Sequence, residues 1–292
     1  MSRTSTGSSS PRDAGGAVVP SSHAETAAAL DRLGIRPSRA LGQSFLADPF
    51  IADAESALLD GDVSGPVVEI GGGLGVLTRA LLRRGVRDLT VVERDPRLAE
   101  HLTRAFGPAV RVREADALAV DFSGVRTVVG NLPFSRASEI LLRLFESGVG
   151  RIVVLVQREV AERLAAAPGG RAYGRLTLAA RWYGTAETFA VVPSRAFYPT
   201  PKVSGQLVRL VRRDGPGPDV DRRRFDRVVS TLFRHRRKQL KNLVPALADP
   251  GDARALARAA GWPDDWERRR PEELDFEQFV ALARAWAGDR DK

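Results

Sequence analysis

The stretch Gly130-Asn131-Leu132-Pro133-Phe134 is the part of the chain best suited to chemistry, and it follows an apolar run typical of a buried strand. The exocyclic amino nitrogen of a nucleobase is a poor nucleophile because its lone pair is delocalised into the ring. The Asn131 side-chain carbonyl and the Leu132 backbone carbonyl can accept its two hydrogens, which favours a tetrahedral nitrogen whose lone pair faces an electrophile. Pro133 stiffens the loop, and Phe134 offers a face for an unstacked base. The motif predicts group transfer to this nitrogen, with the excess proton lost to water; a proline turn with a core Phe is the structural alternative.

A glycine-rich turn, Glu69-Ile70-Gly71-Gly72-Gly73-Leu74-Gly75, follows the first apolar strand. Glycine lets the backbone turn tightly and approach a ligand closely at the carboxyl edge of a sheet. The dinucleotide fingerprint G-x-G-x-x-G requires a small residue at Val76, whereas the third glycine here stands at Gly75. The spacing favours an adenosine ligand without a pyrophosphate and disfavours a dehydrogenase, although a purely structural glycine turn has the same composition.

Two acidic residues end the next predicted strands at the same edge. Glu93 lies 22 residues after Gly71, where a carboxylate can accept both ribose hydroxyls of a nucleoside. Asp116 follows the third strand, where a carboxylate can accept a hydrogen bond from an adenine amino group. Either acid by itself is more often a solvated loop residue. Together with the glycine turn, the two acids predict a nucleoside site built on three strand ends.

The elements that must position these loops alternate between strands and helices of about ten residues. Predicted strands cover Val67–Ile70, Leu89–Val92, Val110–Val112, Val125–Val129 and Ile152–Val156. Predicted helices cover Asp48–Leu59, with Asp48 as N-cap, then Val76–Arg84, Pro96–Phe106, Ser138–Phe145 and Arg158–Ala166. The alternation indicates βαβ units around a buried parallel sheet, an α/β fold.

The two ends of the chain depart from this alternation. Residues 1–23 are rich in Ser, Gly and Pro without periodicity, which predicts a disordered tail. A short helix is expected over Ala24–Leu33. The breaker cluster at 214–219 predicts a linker between a catalytic domain, residues 24–213, and a helical domain, residues 220–292.

The predicted helical domain begins with a helix from about Arg222 to Val244, and shorter helices follow over Ala253–Ala260 and Phe276–Trp286. In the first helix an apolar face is expected to pack against the catalytic domain; it consists of Phe225, Val229, Leu232, Leu240 and Leu243. A second face carries Arg234, Lys238 and Lys241, with Arg237 beside them. We expect this second face to bind the phosphates of a nucleic acid rather than its bases, because no aromatic residue interleaves the cations.

Charge and composition indicate the kind of partner and exclude several classes of protein. The formal net charge is +9, and the segment 222–241 carries nine basic residues against a single Asp. Such a concentration of charge points to a polyanion partner, although a solvated helix face also fits. The chain has no cysteine and only His23, His101 and His235, which excludes thiolate chemistry and argues against a metal centre. No apolar run is long enough to cross a membrane and no secretory signal begins the chain.

At this point the chain resembles the rRNA adenine N6-methyltransferases. The resemblance runs from about Arg36 to Arg212 and rests on six motifs in order: Leu41-Gly42-Gln43-Ser44-Phe45-Leu46, the glycine turn, Glu93, Asp116, Asn131 to Phe134, and the pair Tyr173-Gly174-Arg175-Leu176 and Phe197-Tyr198-Pro199-Thr200-Pro201-Lys202-Val203. The segment Phe233-Arg234-His235-Arg236-Arg237-Lys238 and the helical tail are most similar to the small-subunit rRNA dimethyladenosine transferases.

The resemblance implies a seven-stranded Rossmann-like class I methyltransferase sheet with a small all-helical C-terminal domain, and S-adenosylmethionine as the methyl donor. The residues expected to contact that donor are Ser44, Leu46, Gly71, Gly73, Glu93, Asp116 and Asn131. The implied partner is ribosomal RNA within a small-subunit assembly intermediate. The protein is expected to be a cytoplasmic monomer that binds no metal. Large-subunit rRNA methylation conferring macrolide resistance, and a nucleic-acid-binding relative that has lost catalysis, are the alternatives.

Three positions depart from the pattern of this family. Ser44 stands where Asn is usual, Gly72 where Pro is usual, and Phe134-Ser135 where Tyr-Asn is common. Phe134 keeps a stacking face and loses a hydroxyl. The two acids and Asn131 are intact, which favours catalysis over binding alone.

Overall fold

The computed structural model describes residues 18–37, 43–61, 63–215, 217–247 and 252–286. The strands are β1 (Phe45–Leu46), β2 (Val67–Ile70), β3 (Leu89–Glu93), β4 (Arg111–Glu114), β5 (Thr127–Asn131), β6 (Arg151–Gln157), β7 (Gly184–Val192), β8 (Phe197–Tyr198) and β9 (Gly205–Arg212). The α-helices are α1 (His23–Arg32), α2 (Pro49–Ala57), α3 (Val76–Arg83), α4 (Pro96–Phe106), α5 (Ala137–Glu146), α6 (Arg158–Leu164), α7 (Arg175–Tyr183), α8 (Arg222–Phe233), α9 (Ala253–Ala259) and α10 (Phe276–Ala285).

Seven strands form one sheet in the order β4-β3-β2-β5-β6-β9-β7. The first five strands in this order are parallel, whereas β9 and β7 run antiparallel to their neighbours. The five strands predicted from the sequence are the five parallel ones, and the Rossmann-like sheet is confirmed. Because the carboxyl ends of parallel strands share one edge, the loops after β2, β3, β4 and β5 open at the same place.

Helices cover both faces of the sheet, which explains why its central strands are apolar throughout. Val128 and Val154 belong to the core beneath α5, α6 and α7. Val129 and Val153 point the other way, into the core beneath α2, α3 and α4. Alternate residues of the same strand therefore fill two separate cores.

The N-terminal helix begins one residue earlier than predicted, because Ser22 caps it by accepting a hydrogen bond from the Glu25 amide. The predicted disordered tail also ends too late. Val19 is buried, and the Arg79 guanidinium donates to its carbonyl oxygen at 3.0 Å. Val19 and Pro20 thus contact Arg79 of α3, and residues 1–17 lie outside the described chain.

The long helix predicted from Arg222 to Val244 is wrong beyond Phe233, where α8 ends. The chain continues as a turn and then two short 3-10 segments, Leu240–Asn242 and Val244–Ala246. Two causes are visible. The Leu240 amide donates to the Arg269 carbonyl at 2.8 Å, and Pro245 disfavours a helical conformation at Val244. The expected apolar positions are nevertheless all buried, in one cluster with Tyr173 and Leu178.

The helical C-terminal part and the catalytic part share this cluster. The ring of Phe225 in α8 lies 4.6 Å from that of Trp182 in α7 and 5.6 Å from that of Phe276 in α10, centroid to centroid. Strand β9 ends at Arg212 and α8 begins at Arg222, on either side of the predicted linker. None of the described helices is long and apolar enough to span a bilayer.

Replacing Phe225 by Ala is expected to lower the free energy of unfolding by about 3–5 kcal/mol, because a fully buried ring leaves a cavity. Urea unfolding followed by circular dichroism measures the change, with the exposed Val203→Ala as control. The shared core also predicts a single cooperative transition in the wild-type chain. A C-terminal transition separate from the rest would contradict it.

Candidate active site

A cavity of about 610 Å³ opens at the carboxyl edge of the parallel strands. A volume of this size is typical of small-molecule sites. Every residue predicted to contact the methyl donor or the target base lines this cavity: Ser44, Leu46, Gly71, Gly73, Glu93, Asp116, Asn131, Leu132, Pro133 and Phe134. The structure therefore brings loops from four strands, and the segment at β1, to one place.

The glycine turn forms the floor of the cavity, and two of its residues have no room for a side chain. Gly75 has φ +85° and caps α3, and a Cβ there would lie 2.6 Å from the Phe106 ring. A Cβ on Gly72 would lie 2.4 Å from a methyl of Val91. The Val91 side chain thus occupies space that a larger residue at Gly72 would need.

The Glu93 carboxylate braces this turn. One oxygen accepts the Gly73 amide at 3.0 Å, and the other accepts the amides of Arg94 and Asp95 at 2.7 and 2.9 Å. Burial raises the pKa of Glu93, and the amide hydrogen bonds oppose that rise. The carboxylate is therefore held in place at the cavity wall before any ligand arrives.

Both carboxylate oxygens of Asp116 already have hydrogen-bond partners within the chain, which the sequence does not indicate. One oxygen accepts the Leu118 amide at 3.0 Å, and the other pairs with the Arg136 guanidinium at 2.7 Å. These two contacts, the backbone one first, hold the pKa of Asp116 below its usual value. Arg136 also lines the cavity. Its backbone amide donates to the Pro133 carbonyl, so it ties Asp116 to the loop after β5, residues 131–134, which we call the Asn131 loop.

Asn131 ends β5, and its side-chain amide nitrogen donates to the Ser44 carbonyl at 3.4 Å. The donor end of the side chain is thereby directed at Ser44, which leaves the carbonyl oxygen as its acceptor end. The Ser44 hydroxyl in turn donates to the Pro199 carbonyl at 2.7 Å. The Ser side chain, although shorter than Asn, therefore still connects the Asn131 loop to the segment after β8.

A close approach of β2 and β5 fixes where the Asn131 loop begins. A Cβ on Gly130 would lie 2.5 Å from the Ile70 carbonyl oxygen. Beyond it, the Leu132 amide donates to the Leu155 carbonyl at 3.1 Å, and the Leu132 side chain is buried. The Phe134 ring meets Phe197 edge to face at 5.7 Å. It is half-buried, so it combines core packing with a lining position.

The residues predicted to bind RNA lie outside this cavity. Arg234, Arg237, Lys238 and Lys241 are exposed on the turn after α8, which we call the basic turn (residues 234–241). Arg236 alone folds back, donating to the Gly170 carbonyl at 3.0 Å. Several residues that line the cavity were not predicted from the sequence: Arg36, Gln43, Phe45, Arg94 and Arg136. Their spacing does not indicate a site, although Gln43 and Phe45 belong to the Leu41 to Leu46 motif.

Two buried acids lie close to each other near the cavity: Glu69 begins the glycine turn and lines the cavity, and Glu55 belongs to α2. Glu55 is fully buried, and neither of its oxygens makes a well-formed hydrogen bond to the described residues. Burial raises the pKa of Glu55 to about 8, and the nearby Glu69 carboxylate adds to the rise. Burial likewise raises the pKa of Glu69 to about 8, although the Thr78 hydroxyl donates to it at 2.7 Å. No cluster of three or more potential metal-binding acids or histidines occurs in the described ranges.

Comparison with known proteins gives a consistent picture. A family model described as ribosomal RNA adenine dimethylase matches residues 36–259. The ribosomal RNA small subunit methyltransferase A of Myxococcus xanthus is 40% identical over 264 residues, covering 88% of this chain and 93% of that protein. The protein of the same name from Vibrio cholerae is 37% identical over 262 residues, covering 86% and 94%.

Two solved structures are similar along most of the chain. A dimethyladenosine transferase from Plasmodium falciparum superimposes with a TM-score of 0.67 at 22% identity, covering 82% of this chain and 95% of that one. The 23S rRNA methyltransferase ErmE superimposes with a TM-score of 0.64 at 25% identity, covering 83% and 99%. The first of these likenesses concerns the fold alone.

Replacing Glu55 by Gln is expected to flatten the dependence of stability on pH. Glu55 has a pKa of about 8 when folded and 4.5 as its ordinary value. The folded state therefore binds the extra proton, and stability is lost as pH rises through about 8. Between pH 5 and pH 9, the free energy of unfolding should fall by at least about 1 kcal/mol more in wild type than in the variant, as measured by thermal unfolding. Equal losses of stability in wild type and variant would contradict a proton held by Glu55 in the folded state. The control is Glu146→Gln, at an exposed position.

Proposed function

Because the chain belongs to the ribosomal RNA adenine dimethylase family, we propose that it transfers methyl groups from S-adenosylmethionine to the N6 amino group of adenines in small-subunit ribosomal RNA, giving N6,N6-dimethyladenosine. The observation that carries this proposal is the convergence of the Asn131 loop with Glu93, Asp116 and the glycine turn in one cavity. A nucleoside-type donor and a target base can then meet there.

The cavity fits S-adenosylmethionine by its donor set and by its missing side chains. Gly71 and Gly73 expose backbone at the floor with φ of +76° and +54°, which lets a ligand approach closely. Glu93 is assigned to the ribose hydroxyls, and Asp116, beside Arg136, to the adenine amino group. When bound, the donor supplies an electrophilic methyl group; Ser44, Leu46 and Asn131 would adjoin it.

The chain's own contribution to the reaction is to orient a poor nucleophile. The Asn131 side-chain carbonyl and the Leu132 backbone carbonyl accept the two hydrogens of the target amino group, so that its lone pair becomes available. Phe134 supports the face of the unstacked base, and Pro133 limits the motion of the loop. The proton released after transfer goes to water, so no side chain is required as a general base.

Docking of the RNA is assigned to the basic turn. Arg234, Arg237, Lys238 and Lys241 are exposed, and none of the four makes an ion pair with another described residue. Unpaired cations of this kind favour phosphate contacts, which position RNA without reading its sequence. A small-subunit assembly intermediate as substrate, a cytoplasmic location and a monomeric state stay predictions.

Primer extension tests the proposed function directly, because dimethylation removes both N6 hydrogens and stops the polymerase. Ribosomal RNA from cells lacking the protein should read through sites where RNA from complemented cells stops. Stops restricted to small-subunit RNA support the proposal. Stops in large-subunit RNA would support the macrolide-resistance alternative instead, and the absence of any difference would favour a relative that binds without catalysis.

Asn131→Ala is expected to lower turnover by about a hundredfold or more, because the lost carbonyl acts on the nitrogen in the transition state. Affinity for S-adenosylmethionine, measured by calorimetry, should stay within about twofold, far less than the loss in turnover. The only other asparagine, exposed Asn242, provides the matched control when replaced by Ala and assayed at saturating RNA. Wild-type turnover in Asn131→Ala would overturn its role.

Glu93→Ala is expected to weaken S-adenosylmethionine binding by about 1.5–3 kcal/mol for each charged hydrogen bond lost, or roughly 10- to 100-fold in Kd. Glu93→Gln should lose less, because the amide keeps one acceptor oxygen. Glu114→Ala is the control, since exposed Glu114 pairs with Glu93 across the strands without lining the cavity. Unchanged affinity in Glu93→Ala would refute the assignment.

A further inference from the structure

A second concavity, of about 540 Å³, lies at the opposite edge of the sheet from the candidate active site. It is lined where β5 and β6 begin and where β9 ends. Four of its lining residues are arginines, Arg126, Arg151, Arg212 and Arg213, and its one acid is Asp214. We call these four residues and the concavity between them the arginine pocket.

The backbone holds the arginines close together. The Arg126 carbonyl accepts the amides of Gly150 and Arg151 at 3.1 and 3.0 Å, and the Arg212 amide donates to Gly150 at 2.9 Å. Burial raises the pKa of Tyr183, and the charges of Arg212 and Arg151 both oppose that rise. Arg151 reaches Leu59 on the α2 face of the sheet, whereas Arg212 reaches Gly148 on the α5 face. The two guanidinium groups therefore flank the sheet edge from both faces.

Three of the guanidinium groups are anchored by backbone carbonyls rather than by acids. Arg151 donates to Leu59 at 2.7 Å, Arg212 to Gly148 at 3.1 Å, and Arg213 to Arg181 at 2.9 Å. No ion pair neutralises any of these three within the described part of the chain. Each anchor uses one donor and leaves most of the five donors of a guanidinium group for a ligand. Their charges stay uncompensated in a preorganised arrangement.

We propose that the arginine pocket binds phosphate groups of the ribosomal RNA at a point remote from the methylated adenine. The inference rests on the proposed function, which supplies RNA as the partner. The planar guanidinium fork matches phosphate oxygens in pairs. Strand β6 separates the two edges by seven residues, about 20 Å at the rise of a strand, so a folded RNA can reach both.

The test compares salt dependence of binding to a transcript of small-subunit rRNA. Arg212→Gln with Arg213→Gln should flatten the plot of log affinity against log salt by about 1.4–1.8 units, because each phosphate contact contributes about 0.7–0.9. The control removes equal charge from exposed residues outside the pocket, Arg258→Gln with Arg268→Gln. A slope change no larger than that of the control would overturn the proposal.

Two further arms make the outcome specific. The variant Arg212→Lys with Arg213→Lys should keep most of the wild-type salt slope, because both positive charges are retained. A folded Lys variant with a slope as flat as that of the Gln variant would count against phosphate binding. Melting in inorganic phosphate and in chloride at equal ionic strength identifies a small-anion site. Suppose that phosphate stabilises wild type but not the Gln variant, and that the two proteins have the same salt slope for RNA binding. The pocket would then be a site for free phosphate, and RNA binding there would be refuted.

A short RNA hairpin that fills only the active site separates this inference from the proposed function. The arginine variant should methylate the hairpin at the wild-type rate, since the pocket lies at the far edge of the sheet. If wild type failed to methylate any RNA, the proposed function would fall. The salt slope of the transcript would still report on the arginine pocket, so the two failures are distinguishable.

Discussion

The close contact between β2 and β5 is the constraint on which the site depends. Gly130 leaves room for the Ile70 carbonyl at a distance that no side chain permits. The glycine turn after β2 and the Asn131 loop after β5 consequently begin side by side. A Cβ on Gly71 would lie 3.6 Å from the Asn131 carbonyl oxygen. The proposed methyl-donor and target-base subsites are thus neighbours because two backbones touch, and the rest of the sheet keeps them in register.

Charge is distributed around this contact in a way that favours function over stability. Glu93 gains three amide hydrogen bonds and stays poised at the cavity wall. Glu55 and Glu69, deeper in the core, gain little in return for desolvation and hold protons instead. A buried acid without partners costs folding free energy. Glu55 belongs to α2 and is not among the residues that line the cavity.

Local signals predicted the parallel half of the fold well. Apolar runs of four to five residues with glycine or acid at their ends mark buried parallel strands, and Asp48 caps α2 as expected, accepting the Phe50 amide at 3.0 Å. Strands β7 and β9 escaped because they are antiparallel and partly exposed, so their polar residues dilute the pattern. The predicted length of α8 is wrong because helical spacing continues past Phe233, whereas Leu240 bonds to the distant Arg269 carbonyl instead of continuing a helix.

The site followed the same division. Residues at strand ends could be assigned from their spacing, since topology alone brings them together. The Arg136–Asp116 pair could not, because its partners come from different loops and nothing in either segment indicates the other. The arginine pocket escaped for the same reason, since its members are scattered over some ninety residues of sequence. Contacts between distant loops form only in the folded chain and leave no local pattern in the sequence.

The aromatic cluster around Phe225 has a consequence for how the protein is made. Tyr173, Leu178 and Trp182 belong to the part of the chain that carries the sheet, yet they are covered by residues synthesised about a hundred positions later, including Phe276 and Phe279. During synthesis, the nascent chain therefore carries a finished sheet beside an uncovered apolar face. Such faces are prone to aggregate or to recruit chaperones. Translation that stops anywhere before α10 leaves a product with this face still uncovered, and quality-control proteases have a ready means of recognising it.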